Sequence, residues 1–330
     1  GQVGDSGTLS SGTESIAIFD TKKENNLSVH LSKQLPSDPS DTFVAHIHTG
    51  NRQSTCNNHT ATHLLHEALR EVLGTHVEQK GSYVSPDSLR FDFSHFQKMT
   101  RDEIREVEAI ANRKIREDYR RNEMRNTPIA QAQAMGAMAL FGEKYGETVR
   151  VIQFGSSTEL CGGTHVESTG QIGIVKVISE SSIAAGIRRI EAITGKAVED
   201  YLNQQEDIVA QARELLGQTP DLVNALKKMT EETASLKKQV EAMSFEKILA
   251  LRDQLISQAR EIKASMVNDV KVIRFEGTLT ADQVKTLAFQ IRNIQNKGLF
   301  FVAGCVNEGK PSLTVLLSDD LVEKGLNAVN

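Results

Sequence analysis

The chain has 330 residues, of which 25% are charged and 39% are hydrophobic. This composition is typical of a globular protein, and the length allows two or three domains. No apolar run approaches the roughly 20 residues that cross a bilayer, so we expect no membrane-spanning segment. Since the net charge at pH 7 is -5, any contact with nucleic acid must come from a local basic patch.

The three cysteines, Cys56, Cys161 and Cys305, show no disulfide framework in their spacing. We therefore expect thiols or metal ligands in a reducing, cytoplasmic compartment. The chain also ends inside a predicted amphipathic helix, and we expect it to be a fragment of a longer protein.

The first 74 residues predict a β-rich segment followed by a helix. Short β-like runs at residues 15–19 and 42–47 are separated by polar turns. Apolar residues then recur at helical spacing up to Gly74, which can end the helix, and Asn57 or Asn58 can cap its start.

Three histidines, His59, His63 and His66, fall within this predicted helix. At about 100° per residue they occupy an arc of roughly 60° opposite the apolar stripe, so they are not core residues of the helix itself. They could be metal ligands, catalytic bases or solvated polar residues. A histidine pair four residues apart is only half of a metal motif.

Residues 75 to about 195 continue the pattern of an α+β domain. We predict a hairpin that includes residues 89–93, a long charged helix from about 101 to 125, and strands near 149–152 and 172–178. Residues 1–195 are therefore predicted to form one α+β domain.

Residues 196–267 almost lack glycine, proline and aromatic residues, apart from a break at 217–220. Their apolar residues alternate in steps of four and three, which predicts a helical hairpin or coiled coil. The second arm, of about 45 residues, would be roughly 70 Å long and would space domains or join subunits. Residues 268–330 alternate strands and helices and predict a small α/β module, whose last helix is truncated.

A second candidate pair of metal ligands lies about a hundred residues after the histidines, in the motif ELCGGTHV at residues 159–166. Its two glycines allow a tight turn that aims Cys161 and His165 at one point. With His59 and His63 they form one thiolate and three imidazoles, which suits tetrahedral zinc. His66 is not needed, because the set is full without it. The alternative is a set of unrelated surface histidines and a buried thiol.

The histidine helix does not contain the HExxH motif of a zinc protease, since Thr60 and Ala61 follow His59. A generic zinc hydrolase of small molecules is another alternative, although the sequence offers no identifiable general base for it. The densest basic run, from residue 113 to 125, is interpreted as a solvated helix face.

Five motifs resemble one known family. HTATHLLHEAL, GTHVEQKGS, LRFDFSH, ELCGGTHV and GIRRIEAITG closely resemble the editing domain of alanyl-tRNA synthetases, and the opening GQVGDSG looks like the end of that family's glycine-rich motif. This resemblance runs from residue 1 to about 195. By architecture, residues 196–267 and 268–330 resemble the oligomerisation segment and the carboxyl-terminal tRNA-binding domain of the same family.

The resemblance implies an aminoacyl-tRNA ester hydrolase that removes serine or glycine from mischarged tRNA(Ala). The implied zinc ligands are His59, His63, Cys161 and His165. Thr62 and Gln79 are the implied catalytic residues of the substrate pocket. Arg188 and Arg189 are the implied tRNA-binding residues, although one of them could instead pair with Glu191.

The resemblance also implies what the chain does not do and what it assembles with. Nothing in it resembles the class II catalytic domain, which uses ATP and Mg²⁺, so we expect no adenylation of alanine. We expect tRNA(Ala) as a partner and a homo-oligomer formed through the helical arm or the carboxyl-terminal domain. A non-enzymatic alternative is an oligomerisation and tRNA-docking module with a structural zinc, because four protein ligands fill a tetrahedral shell.

Overall fold

The computed structural model describes residues 1–12, 14–25, 27–138, 146–264, 267–307 and 309–328. It divides into two compact units, Gly1–Ala210 and Gln211–Asn330. The finer division into three domains, with boundaries after residues 195 and 267, stays a prediction. Within the described ranges no helix has both the length and the apolar character needed to cross a membrane.

The first unit has the α+β architecture that the sequence predicts, with three antiparallel sheets. Its strands are β1 (Gly7–Ser10), β2 (Ser15–Glu24), β3 (Leu27–Ser32), β4 (Val44–Ile47), β5 (Gln79–Val84), β6 (Leu89–Ser94), β7 (Asn122–Pro128), β8 (Thr148–Phe154), β9 (Ser157–Leu160), β10 (Val175–Ala184) and β11 (Ile187–Thr194). The sheet orders are β3-β2-β1-β4, β10-β11-β6-β5 and β7-β8-β9. The β-rich start, the predicted hairpin (β5 and β6) and the strand near residues 149–152 are confirmed. The strand predicted near residues 172–178 begins at Val175, after a 3₁₀ turn that ends at Ile172.

The helices that begin in this unit are α1 (Thr49–Leu73), α2 (Arg101–Arg116), α3 (Ile129–Ala134) and α4 (Lys196–Leu215), and a 3₁₀ turn spans Thr169–Ile172. The apolar stripe of α1, which includes Leu64, Leu65 and Leu69, packs with Phe91 and Phe93 of β6 in the main core. On the neighbouring side of α1, the ring of His66 lies 5.0 Å from the ring of Phe91, so the histidines border this core.

Helix α1 is capped by His48, nine residues before Asn57 and ten before Asn58, the predicted caps. The His48 Nδ1 atom accepts a hydrogen bond from the Asn51 backbone N–H at 3.1 Å. Asn58 is buried within the helix instead, where its amide donates to the Ser85 carbonyl at 2.9 Å. The predicted end at Gly74 is confirmed, and its φ of 115° is one that glycine adopts readily.

Helix α2 ends at Arg116, so the prediction of a helix to residue 125 is wrong. The backbone turns at Asp118, whose φ of 52° is left-handed, and strand β7 follows. The basic run is therefore split between a helix and a strand. Its interpretation as a solvated face also fails at Lys114, which is 8% exposed and pairs with Glu67 at 3.1 Å.

The second unit contains α5 (Leu222–Ser257) and the predicted α/β module. The module consists of β12 (Arg260–Ala264), β13 (Val267–Gly277), α6 (Ala281–Ile294), β14 (Leu299–Asn307), β15 (Lys310–Leu317) and α7 (Asp319–Glu323). Its sheet has the order β12-β13-β14-β15, in which β13 and β14 are parallel and α6 connects them.

Helix α5 is shorter than predicted, because it ends at Ser257 and not near residue 266. Residues 260–264 extend the module sheet instead, with Ile262 paired to Val270 in antiparallel β12 and β13. Backbone hydrogen bonds to the edge of β13 thus compete successfully with the helical apolar period. Met266, which the helical pattern included, lies outside the described residues.

The long helices α4 and α5 form where the sequence predicts helices, and Gly217, with a φ of 77°, lies in the break between them. Along α5 the residues of the predicted apolar seam are largely exposed. They include Leu226, Met229, Leu236, Val240 and Met243. Association of these helices as a hairpin or coiled coil stays a prediction.

Candidate metal centre

Helix α1 and the turn after β9 bring the four predicted ligands together. The ligand atoms of His59, His63, Cys161 and His165 all lie within 4.8 Å of one another. Cys161 Sγ is 3.4 Å from His59 Nε2 and 3.3 Å from His165 Nε2. In a tetrahedron with zinc–sulfur and zinc–nitrogen bonds of about 2.3 Å and 2.0–2.1 Å, donors lie about 3.5 Å apart. The donor set and the two separations from Cys161 Sγ therefore fit a tetrahedral zinc site.

His63 and His66 of α1 and His165 of the ligand turn are buried, whereas His59 is partly exposed. His63 and His66 are each 4% exposed and His165 is 5% exposed, so the alternative of solvated surface histidines is wrong. Glu159 of β9 and His165 of the ligand turn lie against the histidine side of α1 and help to bury it. The burial of these rings depends on elements distant in the chain, so it was not visible in the local pattern.

The environment keeps the ligand histidines neutral. Burial, followed by the neighbouring His63, lowers the pKa of His59 to about 3. Burial also lowers the pKa of His63, and it lowers the pKa of His165 well below its ordinary value. Neutral imidazoles have the lone pair that a metal ion requires, so three of the four donors are ready to bind at pH 7.

Groups around the ligands hold the imidazole rings by their other nitrogen atoms. Gln2 Oε1 lies 2.8 Å from His59 Nδ1, and Thr60 Oγ1 lies 3.1 Å from His165 Nδ1. Neither Gln2 nor Thr60 is among the site residues predicted from the sequence. Gln2 belongs to the GQVGDSG motif, whose resemblance to a glycine-rich motif was the one signal that could have suggested it.

Glu159, which belongs to the ELCGGTHV motif but is not among the predicted site residues, connects His63 and His66. Its two carboxylate oxygens lie 3.3 Å from His63 Nε2 and 2.9 Å from His66 Nδ1. Burial raises the pKa of the carboxyl, but the two histidines outweigh burial and hold that pKa below its ordinary value. His66 is thus a neighbour of a ligand and lies outside the four-donor cluster, as predicted.

The ligand turn is held by an arginine and requires a glycine. Arg150 Nη1 donates to the carbonyls of Cys161 and Gly163 at 2.8 and 2.7 Å. A Cβ atom at Gly163 would lie 2.1 Å from His59 Cε1. No side chain fits there, because the ring of His59 occupies the space.

Thr62 and Gln79, the predicted catalytic residues, lie on α1 and at the start of β5. Residues three and four apart are neighbours on a helix, so Thr62 lies beside His59 and His66. Thr62 is 4% exposed, and its hydroxyl donates to the carbonyl four residues earlier at 2.8 Å. Gln79 is partly buried, and its Nε2 donates to Ser82 Oγ at 3.4 Å. Their catalytic role stays a prediction.

Arg188 and Arg189, the predicted tRNA-binding residues, both form ion pairs inside the β10-β11-β6-β5 sheet. Arg188 is 9% exposed and pairs with Glu180 of β10. Arg189 donates from Nε and Nη2 to the Asp92 carboxylate of β6 at 2.6 and 2.9 Å. Glu191, the alternative partner, takes part in neither of these ion pairs. Contact with tRNA stays a prediction.

Known proteins match this chain over its whole length. The alanine–tRNA ligases of Parabacteroides distasonis and Bacteroides thetaiotaomicron are 54% and 55% identical to it, over 99% and 100% of its length. The alanine–tRNA ligase of Flavobacterium psychrophilum is 46% identical over 99% of the chain. The resemblance to alanyl-tRNA synthetases is confirmed. The chain spans 37% of the length of each of these relatives.

A family model described as the second additional domain of threonyl and alanyl tRNA synthetases matches residues 149–191. That range contains Cys161, His165 and the two arginines of β11, whereas His59 and His63 precede it. The alanyl-tRNA synthetase resemblance therefore includes both halves of the metal centre, and the domain model matches only the second half.

Proposed function

We propose that this chain is an editing hydrolase, active in the cytoplasm, that binds tRNA(Ala) and removes serine or glycine mistakenly attached to it. The observation that supports this most directly is the convergence of His59, His63, Cys161 and His165 within 4.8 Å, in a chain more than half identical to alanine–tRNA ligases. These four residues would hold zinc.

The need for such a site follows from the limits of selection by size. A pocket shaped for the methyl group of alanine rejects glycine weakly, because one missing methylene is worth only about 1–3 kcal/mol, and the small hydroxyl of serine is also hard to exclude. Mischarged tRNA(Ala) is therefore expected, and a second pocket that hydrolyses it restores accuracy.

The reaction is the attack of water on the aminoacyl ester. The water oxygen bonds to the carbonyl carbon, the bond from that carbon to the tRNA oxygen breaks, and the leaving oxygen takes a proton. The products are the free amino acid and tRNA with its hydroxyl restored. When bound, zinc supplies Lewis acidity and a fixed charge at the ester.

Thr62 and Gln79 would select the serine side chain. Because the Thr62 hydroxyl hydrogen is engaged with its own helix, its oxygen can only accept, and a substrate hydroxyl can donate to it. The Gln79 amide can both donate and accept. A site that hydrogen-bonds a substrate hydroxyl discriminates strongly against an analogue that lacks it. These groups therefore favour seryl over alanyl esters, and glycyl esters, which also lack the hydroxyl, gain nothing from them.

The direct test is the rate at which this chain releases amino acid from seryl-tRNA(Ala), compared with alanyl-tRNA(Ala) and with a reaction lacking the chain. We expect faster release of serine than of alanine, with both rates reported against the spontaneous rate. Zinc content and circular dichroism are measured on the same sample. A folded, zinc-loaded chain that leaves seryl-tRNA(Ala) intact would contradict the proposal.

A second prediction concerns Gln79. Changing Gln79→His should lower seryl-tRNA(Ala) hydrolysis or its preference over the alanyl ester by about 10-fold or more, as loss of a hydrogen-bonding group in a selective pocket does. The fold should be unaffected, since Gln79 lies at the start of an outer strand. Gln97→His, at an exposed position before α2, is the matched control. Equal effects of the two changes would remove Gln79 from the pocket.

The second candidate function is an oligomerisation and tRNA-docking module with a structural zinc. Two observations favour it: the four donors can fill a tetrahedral shell, and the apolar seam of α5 is exposed. The deacylation assay separates the two candidates, because only the hydrolase releases serine.

A further inference from the structure

We propose that Gln2 is a positioning residue of the metal centre, which fixes the tautomer of His59 and ties that ligand to the turn carrying Cys161 and His165. The inference rests on the metal site of the proposed function. Gln2 precedes His59 by 57 positions and Thr164 by 162 positions, and its side chain hydrogen-bonds to both residues.

The two atoms of the Gln2 amide are identified by their partners. The backbone N–H of Thr164 can only donate, and it lies 2.9 Å from Gln2 Oε1. The neighbouring Gln2 Nε2 donates to Thr164 Oγ1 at 2.9 Å. Exchanging oxygen and nitrogen would place two donors against each other, so the amide has one favourable orientation.

That orientation decides which nitrogen of His59 has the hydrogen. Gln2 Oε1 is an acceptor and lies 2.8 Å from His59 Nδ1, so Nδ1 must donate. In a neutral imidazole the other nitrogen is then an acceptor. His59 Nε2 is 3.4 Å from Cys161 Sγ, and its lone pair is therefore directed into the donor cluster. A hydrogen bond of this kind orients a metal-bound histidine and raises its basicity.

The backbone around Gln2 is anchored, so its side chain has little freedom to leave. The Val3 N–H donates to the Val84 carbonyl at 3.0 Å, and the Val84 N–H donates to the Gly1 carbonyl at 2.8 Å. A Cβ atom on Gly163 would come within 2.7 Å of Gln2 Oε1. The amino-terminal segment, α1 and the ligand turn thus meet at this one amide.

The test compares the zinc affinity of Gln2→Leu and Gln2→Glu with that of the unchanged chain, by competition with a chromophoric chelator. We expect Gln2→Leu to lose about 10- to 100-fold in affinity, as loss of such outer partners does. Gln2→Glu should retain affinity, because a carboxylate oxygen can accept from both His59 Nδ1–H and the Thr164 N–H. Gln97→Leu, at an exposed site, is the control.

A second readout separates positioning from stability. The visible absorption of Co²⁺ bound in place of zinc reports the ligand geometry, and it should change in Gln2→Leu but not in Gln2→Glu. If Gln2→Leu does not fold, Gln2→Ala replaces it. Unchanged zinc affinity in the folded leucine or alanine variant, or equal losses in it and Gln2→Glu, would overturn the inference, as would an unchanged chain that binds no zinc. Deacylation of seryl-tRNA(Ala) is a separate measurement, so failure of the proposed function is recognised independently.

Discussion

At the scale of single residues, Gly163 is the position where the metal centre has the least space. A Cβ atom there would lie 2.1 Å from His59 Cε1 and 2.5 Å from its Nδ1, whereas a Cβ atom on Gly162 would meet nothing within 4 Å. We expect Gly163→Ala to displace His59 and to weaken zinc binding by about 10-fold or more, since a ligand and its outer partner both move. Zinc titration checks this.

Gly162→Ala is the matched control for that prediction, because it adds the same methyl group one residue away. It should leave zinc affinity and the circular dichroism spectrum unchanged. If both alanine variants bind zinc as tightly as the unchanged chain, the claim that His59 leaves no space for a side chain at Gly163 is wrong.

The residues that could be predicted from sequence are those whose functional partners lie a few positions away in the chain. The four donors have short spacings within each pair, and a helix or a tight turn is sufficient to place each pair on one side. Gln2, Glu159 and Arg150 were missed because their roles depend on partners that the fold brings to them. A glutamine near the start of a chain has no local signal that it will bond a histidine in a later helix.

At the scale of elements, strands β7 and β8 are joined by a charge pair that also supports the ligand turn. Glu123 of β7 accepts from Arg150 Nε of β8 at 2.9 Å. Hydrogen bonds from Arg150 and then from Arg125 lower the pKa of Glu123 to about 2 from an ordinary 4.5. A depressed carboxyl pKa contributes stability that is fully present above about pH 4.5 and is lost as the pH falls toward 2.

We therefore expect Glu123→Gln to lower the urea midpoint of unfolding at pH 7. The difference in midpoint between this variant and the unchanged chain should shrink as the pH falls from 4.5 to 2. The change removes the proton uptake that makes the unchanged chain acid-sensitive in that window. Urea unfolding at several pH values measures the difference. Glu106→Gln, at an exposed position of α2, is the control, and a constant difference across the whole range would contradict the assignment.

The two helices that end earlier than predicted do so before a single left-handed residue or where an edge strand begins. Helix α2 stops before the left-handed Asp118, although charged residues continue the helical composition to residue 125. Helix α5 stops because residues 260–264 form the strand β12. Helical periodicity predicts that a helix exists, but the pairing of residues 260–264 with the strand that follows them, β13, is not part of that signal.

At the scale of the whole molecule, the exposed apolar seam of α5 predicts self-association. Leu236 and Val240 are 53% and 66% exposed, and a heptad spacing of apolar residues is buried when helices pair. We expect the chain to sediment as an oligomer, and the double change Leu236→Glu and Val240→Glu to convert it to a monomer. Sedimentation velocity over a range of concentrations makes the measurement.

Lys238→Glu, on the side of α5 away from the seam, is the control for that prediction and should leave the oligomer intact. An unchanged chain that sediments as a monomer at every concentration would show that the seam does not join copies. The apolar period of the sequence is enough to predict the seam. The surface that covers the seam cannot be predicted from that period, because it belongs to another helix or another copy.

The distance along the chain between the two ligand pairs has a consequence for folding. His59 and Cys161 are 102 residues apart, so the unfolded chain must close a long loop before four donors can meet, at an entropic cost that grows with the logarithm of loop length. A metal ion bound at this centre acts as a reversible crosslink, comparable to a disulfide that closes a loop of this size. Loss of the metal would therefore empty the binding site and would also release helix α1 from the ligand turn, two segments that are distant in the chain.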